Sequence, residues 1–301
     1  GSDKPDLRFG LELRAITAAA RTSQFRVFHE VLAAGGQVKG INVTGAGDMS
    51  RSQIDDLGAF TQRLGAKGMA WVRHTAAGLE SSVVTFFPPE EQAELIREMD
   101  SRPGDLLLFV ADQPAVVARA LGGLRLELAR RLELVPGGSW APLWVTHFPL
   151  LEYDQEAGRY VAMHHPFTAP LDEDLERLDA APLEARAKAY DLVLNGNEVA
   201  GGSVRIFQRQ VQAKLFDLLA LSREEAEGKF GFLLDALEYG APPHGGIAFG
   251  YDRLVAMLCG EDSIRDVIAF PKTNKAVGLM ERAPGPVSPE QLRELSIRTA
   301  V

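Results

Sequence analysis

Polar and glycine-rich segments concentrate after residue 160 of this 301-residue chain. In chain order they are residues 163–168, 190–198, 201–206 and 242–253. Together they contain acids that can hold a metal, arginines that can bind anionic groups, and glycines that let a ligand approach the backbone. This combination predicts an active site for an acidic substrate and a nucleotide.

Asn195 and Gly196 predict a tight hairpin turn, because a two-residue primed turn needs a positive φ at both central residues. The resulting register places Asp191 opposite Ala200 and makes Asp191 and Glu198 diagonal neighbours on one face, with β-carbons about 7 Å apart or less. Two carboxylates in that arrangement can converge on a hard divalent ion such as Mg²⁺. The alternative is that both acids are solvated on an exposed sheet face.

Arg205 follows Glu198 by seven residues, so in an unbroken strand its side chain would point to the opposite face. A bulge at Gly201 and Gly202 would absorb one residue and return Arg205 to the carboxylate face. Its planar guanidinium matches the geometry of a carboxylate. A structural salt bridge is the alternative role for this arginine.

His164 and His165 are adjacent, and Pro166 makes an irregular loop credible at this point. Zinc binding is not expected, because no cysteine or third histidine lies nearby with suitable spacing. One of the two histidines could donate a hydrogen bond to an anionic substrate. A packed or exposed loop histidine is the other interpretation.

Residues 245–250 form an apolar strand bracketed by glycines, and Tyr251, Asp252 and Arg253 begin an amphipathic helix. Gly250 permits close approach of a base or ribose to the backbone. An arginine near a helix N-terminus can meet phosphate oxygens, where the free backbone amides reinforce binding. Asp252 could order Arg253 or cap the helix.

The surrounding elements must position these groups. Residues 15–134 alternate helical segments with short apolar strands and predict a compact α/β module, whereas the region after residue 135 predicts an α+β antiparallel sheet flanked by helices. Helices are predicted at 50–64, 89–99, 115–134, 210–219, 222–239 and 251–259. Strands are predicted at 7–13, 40–43, 69–72, 83–87, 106–110, 143–148 (buried) and 267–270.

The formal net charge of −9 argues against broad, non-specific attraction to nucleic acid, although a local basic patch stays open. No apolar run is long enough to span a bilayer, and the first residues do not resemble a signal peptide, so a cytoplasmic protein without a membrane partner is expected. The single cysteine, Cys259, lies in an apolar helical pattern and is expected to be buried.

Taken together, these segments resemble the C-terminal portion of bacterial-type aspartyl-tRNA synthetase, a class II aminoacyl-tRNA synthetase. The resemblance is close over residues 1–14 and 143–298 and includes residues 163–168 and 266–272. It implies that residues 1–14 are the first segment of the catalytic domain and that 135–301 are its C-terminal segment. Residues 15–134 resemble, more loosely, the GAD insertion domain of bacterial members.

The resemblance implies ATP-dependent activation of L-aspartate to aspartyl-adenylate and transfer to tRNA(Asp), with tRNA(Asn) as an open alternative. His164 and Arg205 match positions that bind aspartate. Asp191 and Glu198 match the acids that handle Mg²⁺ and ATP. Gly250, Tyr251, Asp252 and Arg253 match class II motif 3 at the ATP site, and catalytic roles are implied for Arg253 and Glu198.

This sequence departs from the family pattern in two respects. Ala200 stands where relatives commonly have glycine, and motifs 1 and 2, with the N-terminal anticodon-binding domain, have no counterpart. The expectation is a fragment, inactive by itself, of a homodimeric enzyme. Two alternatives stay open: a related class II ligase for asparagine, and a non-catalytic paralogue that binds tRNA or protein.

Overall fold

The structure, a computed structural model, describes residues 2–298 in two compact units. Unit 1 comprises residues 2–145 with 193–197, and unit 2 comprises 146–192 with 198–298. Gly1, the start of the resembling N-terminal segment, lies outside the described residues. In the described part of the chain, no helix is both long and apolar enough to cross a membrane. The predicted domain boundaries at residues 14 and 134 stay predictions.

A five-stranded sheet forms the centre of unit 1. Its strand order is β1-β2-β5-β3-β4, and every pairing in it is antiparallel. The elements up to residue 146 are β1 (Leu13–Ala15), α1 (Thr17–Thr22), α2 (Arg26–Ala33), β2 (Gln37–Val43), α3 (Arg51–Arg63), β3 (Ala70–Thr75), β4 (Gly78–Glu80), α4 (Pro89–Met99), β5 (Leu106–Asp112), α5 (Pro114–Arg131) and β6 (Pro142–Thr146).

Both faces of this sheet are covered by helices. Leu106 and Leu108 of β5 pack with α3 and α5, whereas Leu107 and Phe109 pack with α1, α2 and α4. Strand β5 is therefore buried on both sides and is continuously apolar, without the alternation of a half-exposed strand. Helices and strands alternate along the chain as predicted, but the α/β expectation is corrected to α+β because all pairings are antiparallel.

Two predicted strands of unit 1 are wrong. Residues 84–86 form a 3₁₀ turn, and Val84 within it and Phe87 directly after it are buried without joining the sheet. A short apolar run does not distinguish a strand from a buried turn. Residues 7–12 also lie outside the sheet, because Arg125 of α5 donates to the carbonyls of Asp6, Phe9, Gly10 and Leu11 that a neighbouring strand would otherwise occupy.

The remaining elements belong to unit 2, apart from their residues between 193 and 197, which belong to unit 1. They are β7 (Leu151–Asp154), β8 (Arg159–Ala162), α6 (Arg177–Ala180), β9 (Ala189–Leu194), β10 (Asn197–Val204), α7 (Arg209–Leu218), α8 (Arg223–Glu238), β11 (Gly245–Phe249), α9 (Tyr251–Cys259) and α10 (Pro289–Glu294). Strands β11, β10 and β9 are neighbours in that order, and β10 and β11 are antiparallel. Val204 and Ile206 pack against α7 in the principal core cluster of the unit.

The helix predictions are confirmed to within a few residues at each end. Ser50 and Ser222 are N-caps whose side chains accept from the third backbone N–H of α3 and α8 and complete a capping box. Residues 267–270 are not a strand; they follow a 3₁₀ turn at Ile264–Asp266. Two burial expectations are also wrong, because β6 alternates between half-buried and exposed positions and Cys259 is exposed.

Candidate active site

The hairpin between β9 and β10 carries the two candidate metal ligands. Asn195 and Gly196 have φ values of 50° and 80°, which confirms the predicted two-residue turn. The Asn195 side chain donates to the Ser139 carbonyl at 3.0 Å and accepts from the Ala141 amide at 2.9 Å. The chain segment at Ser139 and Ala141, which is not part of the hairpin, therefore helps to fix the turn.

Strand β10 contains one residue more than the opposing stretch of β9. The turn places Leu194 opposite Asn197, and farther along the Val204 amide donates to the Lys188 carbonyl at 2.9 Å. Between these two pairs β9 advances six residues and β10 seven. A β-carbon built on Gly201 would lie 2.6 Å from Asp191 Oδ1. Asp191 is therefore opposite Gly201, and the predicted pairing with Ala200 is wrong.

The extra residue precedes the two glycines. β-carbons built on Gly201 and Gly202 would meet the side chains of Asp191 and Tyr190 in turn, so both glycines already follow the shifted register with β9. The bulge is therefore not at the glycines as predicted. Val199 and Ala200 are consecutive and both buried, which is expected where a strand loses its alternation. The prediction of one absorbed residue is correct, but its location is about two residues earlier.

This register brings the acids and Arg205 to one face. Glu198 Oε1 would lie 3.5 Å from the same β-carbon position on Gly201, so the Asp191 and Glu198 oxygens are no farther apart than the sum of the two distances, about 6.1 Å. Beyond the extra residue, alternation places Gly201, Ser203 and Arg205 on this face. Val204 points into the core on the other face.

The Arg205 guanidinium donates to one hydroxyl group, which itself lies close to a second. Its Nη1 donates to Thr168 Oγ1 at 3.5 Å, and Thr168 Oγ1 lies 3.3 Å from Ser203 Oγ. Thr168 and Ser203 are buried, and Arg205 is half-buried. Within residues 2–298, no carboxylate forms an ion pair with Arg205. A half-buried guanidinium in this position can bind a carboxylate.

The two adjacent histidines lie in different surroundings. The His164 ring packs edge-on against Phe148 with centroids 4.8 Å apart. His165 lines a cavity of about 390 Å³ together with Arg205. Partial desolvation of the ring and the nearby charge of Arg205 lower the pKa of the His165 imidazole. The sequence did not separate the two rings, and Thr168 and Ser203 were not singled out, although both lie within the polar segments.

The start of α9, at Tyr251, is hydrogen-bonded to β10, the strand that carries Glu198. The Gly250 amide donates to the Val199 carbonyl at 2.9 Å, and the Arg253 guanidinium donates to the Glu198 carbonyl. Glu198 and the four predicted nucleotide residues, Gly250, Tyr251, Asp252 and Arg253, line a cavity of about 190 Å³. The structure thus brings the predicted nucleotide residues and one metal acid together.

The donor set formed by Asp191 and Glu198 suits a hard cation. Both offer carboxylate oxygens, the ligand type preferred by Mg²⁺, which usually takes one or two protein carboxylates plus substrate phosphates. Over the described residues, no group of three or more His, Cys, Asp or Glu side chains is arranged to hold a metal ion. A magnesium ion here would therefore complete its coordination with phosphate oxygens and water.

Comparison with known proteins places this site in context. Residues 1–274 match the family model described as tRNA synthetases class II (D, K and N). The chain is 55% identical over 301 residues to the aspartate--tRNA(Asp/Asn) ligase of Geotalea uraniireducens, covering all of this chain and 51% of that protein. It is 55% identical over 298 residues to the aspartate--tRNA ligase of Geobacillus kaustophilus, covering 99% and 50%. The chain thus spans about half the length of these curated relatives.

Solved structures give weaker similarity. An aspartyl tRNA synthetase from Entamoeba histolytica aligns with a TM-score of 0.38 and 15% identity over 81% of this chain and 44% of that one. An asparaginyl-tRNA synthetase from the same organism aligns with a TM-score of 0.36 and 22% identity over 52% and 29%. At these scores the structural likeness supports no further inference.

Proposed function

The chain belongs to the class II tRNA synthetases of the D, K and N group, and on that premise we propose that it forms part of the active site of an aspartate–tRNA ligase. The activity belongs to a polypeptide of the relatives' full length, because the chain covers about half of them. Its reaction is activation of L-aspartate by ATP and transfer of the aspartyl group to tRNA.

The observation that carries the proposal is the shared face of β10. Asp191 of the neighbouring β9, Glu198 of β10 and Arg205, which directly follows β10, lie on one face because of the extra residue that precedes Gly201. Arg205 offers its guanidinium to the side-chain carboxylate of aspartate, and His164 contributes to the same amino-acid site. A cationic group at this position would repel the ammonium of lysine, which separates aspartate from one of the other substrates of the group.

The nucleotide lies at the start of α9 in this proposal. Gly250 leaves the backbone accessible, and Arg253 neutralises phosphate charge beside free amides at the helix N-terminus. Asp191 and Glu198 would hold Mg²⁺, which supplies additional charge neutralisation at the phosphates. The protein's contribution is to position two substrates and stabilise developing charge, so no protein nucleophile is required.

The proposed ligase activity also implies the substrates and the oligomeric form of the full-length enzyme. The substrates are L-aspartate, ATP and tRNA(Asp), with tRNA(Asn) as an open second acceptor because the anticodon-reading region has no counterpart here. A homodimer in the cytoplasm is the proposed form of the full-length enzyme. The isolated 301 residues are proposed to be inactive, because motifs 1 and 2 have no counterpart in them.

The test is ATP–pyrophosphate exchange with aspartate, asparagine or lysine, measured on a polypeptide of the relatives' length that contains this chain. We expect exchange with aspartate and a loss of at least about 100-fold in kcat/KM for Arg205→Ala, since the proposed half-buried charge-paired contact with the substrate is removed. Arg205→Lys should stay strongly impaired, because lysine lacks the planar fork.

Other results would redirect the proposal. Exchange with asparagine in place of aspartate would favour the related asparagine ligase. No exchange with any of the three amino acids would favour the non-catalytic paralogue that binds tRNA or protein. Exchange at the full-length rate by the isolated chain would contradict its proposed inactivity.

A further inference from the structure

We propose that His165 is a specificity-determining residue of the anion site, whose Nε2–H donates a second hydrogen bond to the carboxylate that Arg205 binds. The inference rests on the proposed function and deepens it, since His164 is the histidine assigned to aspartate by resemblance. It begins from the different surroundings of two adjacent rings. His164 packs on Phe148, whereas His165 lines the cavity that contains Arg205.

Hydrogen bonding determines which nitrogen of the His165 ring carries the proton. The Phe167 backbone N–H donates to His165 Nδ1 at 3.2 Å. A backbone amide can only donate, so Nδ1 must carry a lone pair and the neutral ring must carry its proton on Nε2. Partial desolvation and the charge of Arg205 both lower the pKa of this ring, which favours that neutral form. His165 is therefore a neutral donor at Nε2.

Hydrogen bonds also fix the position of the loop that carries the ring. The Ile206 amide donates to the Phe167 carbonyl and the Ala169 amide to the Val204 carbonyl, each at 2.9 Å. The segment that follows His165 is thereby attached to the chain on both sides of Arg205. The buried Gln212 of α7 adds a bond from Nε2 to the Pro166 carbonyl at 2.8 Å. These bonds fix the loop that contains His165 relative to the backbone of Arg205.

His165 differs in its tautomer from the other histidine of the cavity. His244 Nδ1 lies 2.9 Å from the Pro242 carbonyl, and a carbonyl can only accept. The neutral His244 ring therefore carries its proton on Nδ1 and leaves Nε2 as an acceptor. Of the two rings, only neutral His165 offers an Nε2–H donor. A carboxylate needs donors, so His165 suits the anion that Arg205 binds.

The test uses a polypeptide of the relatives' length in two measurements. In the first, ¹⁵N-histidine NMR reports the tautomer of His165 and its response to L-aspartate or to succinate, a dicarboxylate without an amino group. In the second, pyrophosphate exchange compares His165→Asn with His165→Gln. The glutamine amide nitrogen reaches the Nε2 position, whereas the asparagine amide stays near Nδ1. His147→Asn, at an exposed histidine, is the control.

We expect the Nε2–H tautomer, a shift of that nitrogen on addition of either ligand, and loss of the shift in Arg205→Ala. His165→Asn should raise the KM for aspartate about 10-fold or more, the effect of a hydrogen bond to a charged group. His165→Gln should recover most of this loss, and the KM for ATP should not change in either variant. An equal defect in both variants would indicate a structural role and overturn the proposal.

The two measurements separate this proposal from the proposed function. If the unchanged protein shows no exchange with aspartate, the ligase proposal fails, and the NMR titration with succinate still decides the role of His165. A succinate-dependent shift of Nε2 that requires Arg205 supports the donor pair. An Nδ1–H tautomer, or no shift with succinate, overturns it.

Discussion

At the scale of single residues, burial serves opposite purposes for two charged side chains of unit 2. Asp174 is fully buried, and its carboxylate accepts from Arg186 Nε at 2.7 Å and from the Arg186 amide at 2.9 Å. Arg205 is half-buried, and its guanidinium donates to the Thr168 hydroxyl and forms no ion pair with a carboxylate of the described chain. The first arrangement satisfies a charge within the protein, and the second leaves the charge that we propose binds the substrate carboxylate.

The Asp174 network predicts a specific dependence of stability on pH. Hydrogen bonds from Arg186 lower the pKa of the Asp174 carboxyl to about 2, from an ordinary value of 3.8. A depressed folded-state pKa contributes stability that is present above the unfolded pKa and lost as pH falls through the folded pKa. Asp174→Asn should therefore be less stable than the unchanged chain at pH 6, with the gap narrowing between about pH 4 and pH 2.

Urea denaturation of both chains at a series of pH values measures this gap. Glu127→Gln is a useful comparison, because the pKa of Glu127 is also lowered to about 2 by Arg130 and Arg131, but its side chain is half-buried and not fully buried. If the free energies of unfolding of Asp174→Asn and of the unchanged chain differed by the same amount at every pH, the charge of the Asp174 carboxylate would not contribute to stability.

At the scale of elements, the hairpin of β9 and β10 determines the site. Two residues determine its turn. One extra residue in β10, between Glu198 and Gly201, changes the alternation of side chains and brings Arg205 to the face that carries the two acids. Without that residue Arg205 would point into the core occupied by Val204 and Ile206. Two glycines follow the extra residue, and each lacks space for a β-carbon for a different reason.

The two glycines predict different mutational effects. A β-carbon on Gly202 would lie 1.9 Å from the Gly246 carbonyl oxygen, a backbone atom of the paired strand, so Gly202→Ala should destabilise unit 2 by about 3 kcal/mol or prevent folding. A β-carbon on Gly201 would meet the movable end of Asp191. Gly201→Ala should therefore fold, losing only about 1 kcal/mol, but should displace the carboxylate.

Urea denaturation measures the free energy of unfolding of the two alanine variants. Titration of pyrophosphate exchange with Mg²⁺, in the full-length polypeptide, measures the effect of Gly201→Ala on the metal requirement. We expect Gly201→Ala to require more Mg²⁺ for half-maximal exchange. Equal stability of the two alanine variants would contradict the register described here, and unchanged Mg²⁺ dependence of Gly201→Ala would remove Asp191 from the metal site.

At the scale of the whole molecule, unit 1 has its own complete core. Its sheet is covered on both faces, and Arg125 attaches residues 6–11 to α5 through four carbonyls and a contact with the Phe9 ring. A sheet of five strands with two buried faces is sufficient for independent stability. We therefore expect residues 1–135 to fold cooperatively when expressed alone.

Far-UV circular dichroism during urea denaturation measures the unfolding transition of this segment. A single cooperative transition of residues 1–135 would support an autonomous domain. Arg125→Met in the same segment should lower the midpoint, because four carbonyls lose their donor and one cation–π contact is removed. A gradual, non-cooperative loss of signal would show that the remaining residues of the chain are needed for folding.

The sequence by itself determined the features that depend on a few neighbouring residues. Helices α3, α4, α8 and α9 follow from their periodicity and N-terminal residues, and the turn at Asn195 and Gly196 follows from the need for positive φ. The residue types of the site also suffice to indicate acids, arginines and glycines suited to an acidic substrate and a nucleotide.

Only the tertiary structure decided features that depend on partners distant along the chain. The place of the extra residue in β10 depends on bonds to β9 and β11, and the failed strand at 7–13 depends on Arg125, more than 100 residues away. The distinction between His164 and His165 likewise depends on Phe148 and Arg205. Local propensity is encoded within a few residues, whereas register and ring environment are set by hydrogen bonds and packing that form only when the chain has folded.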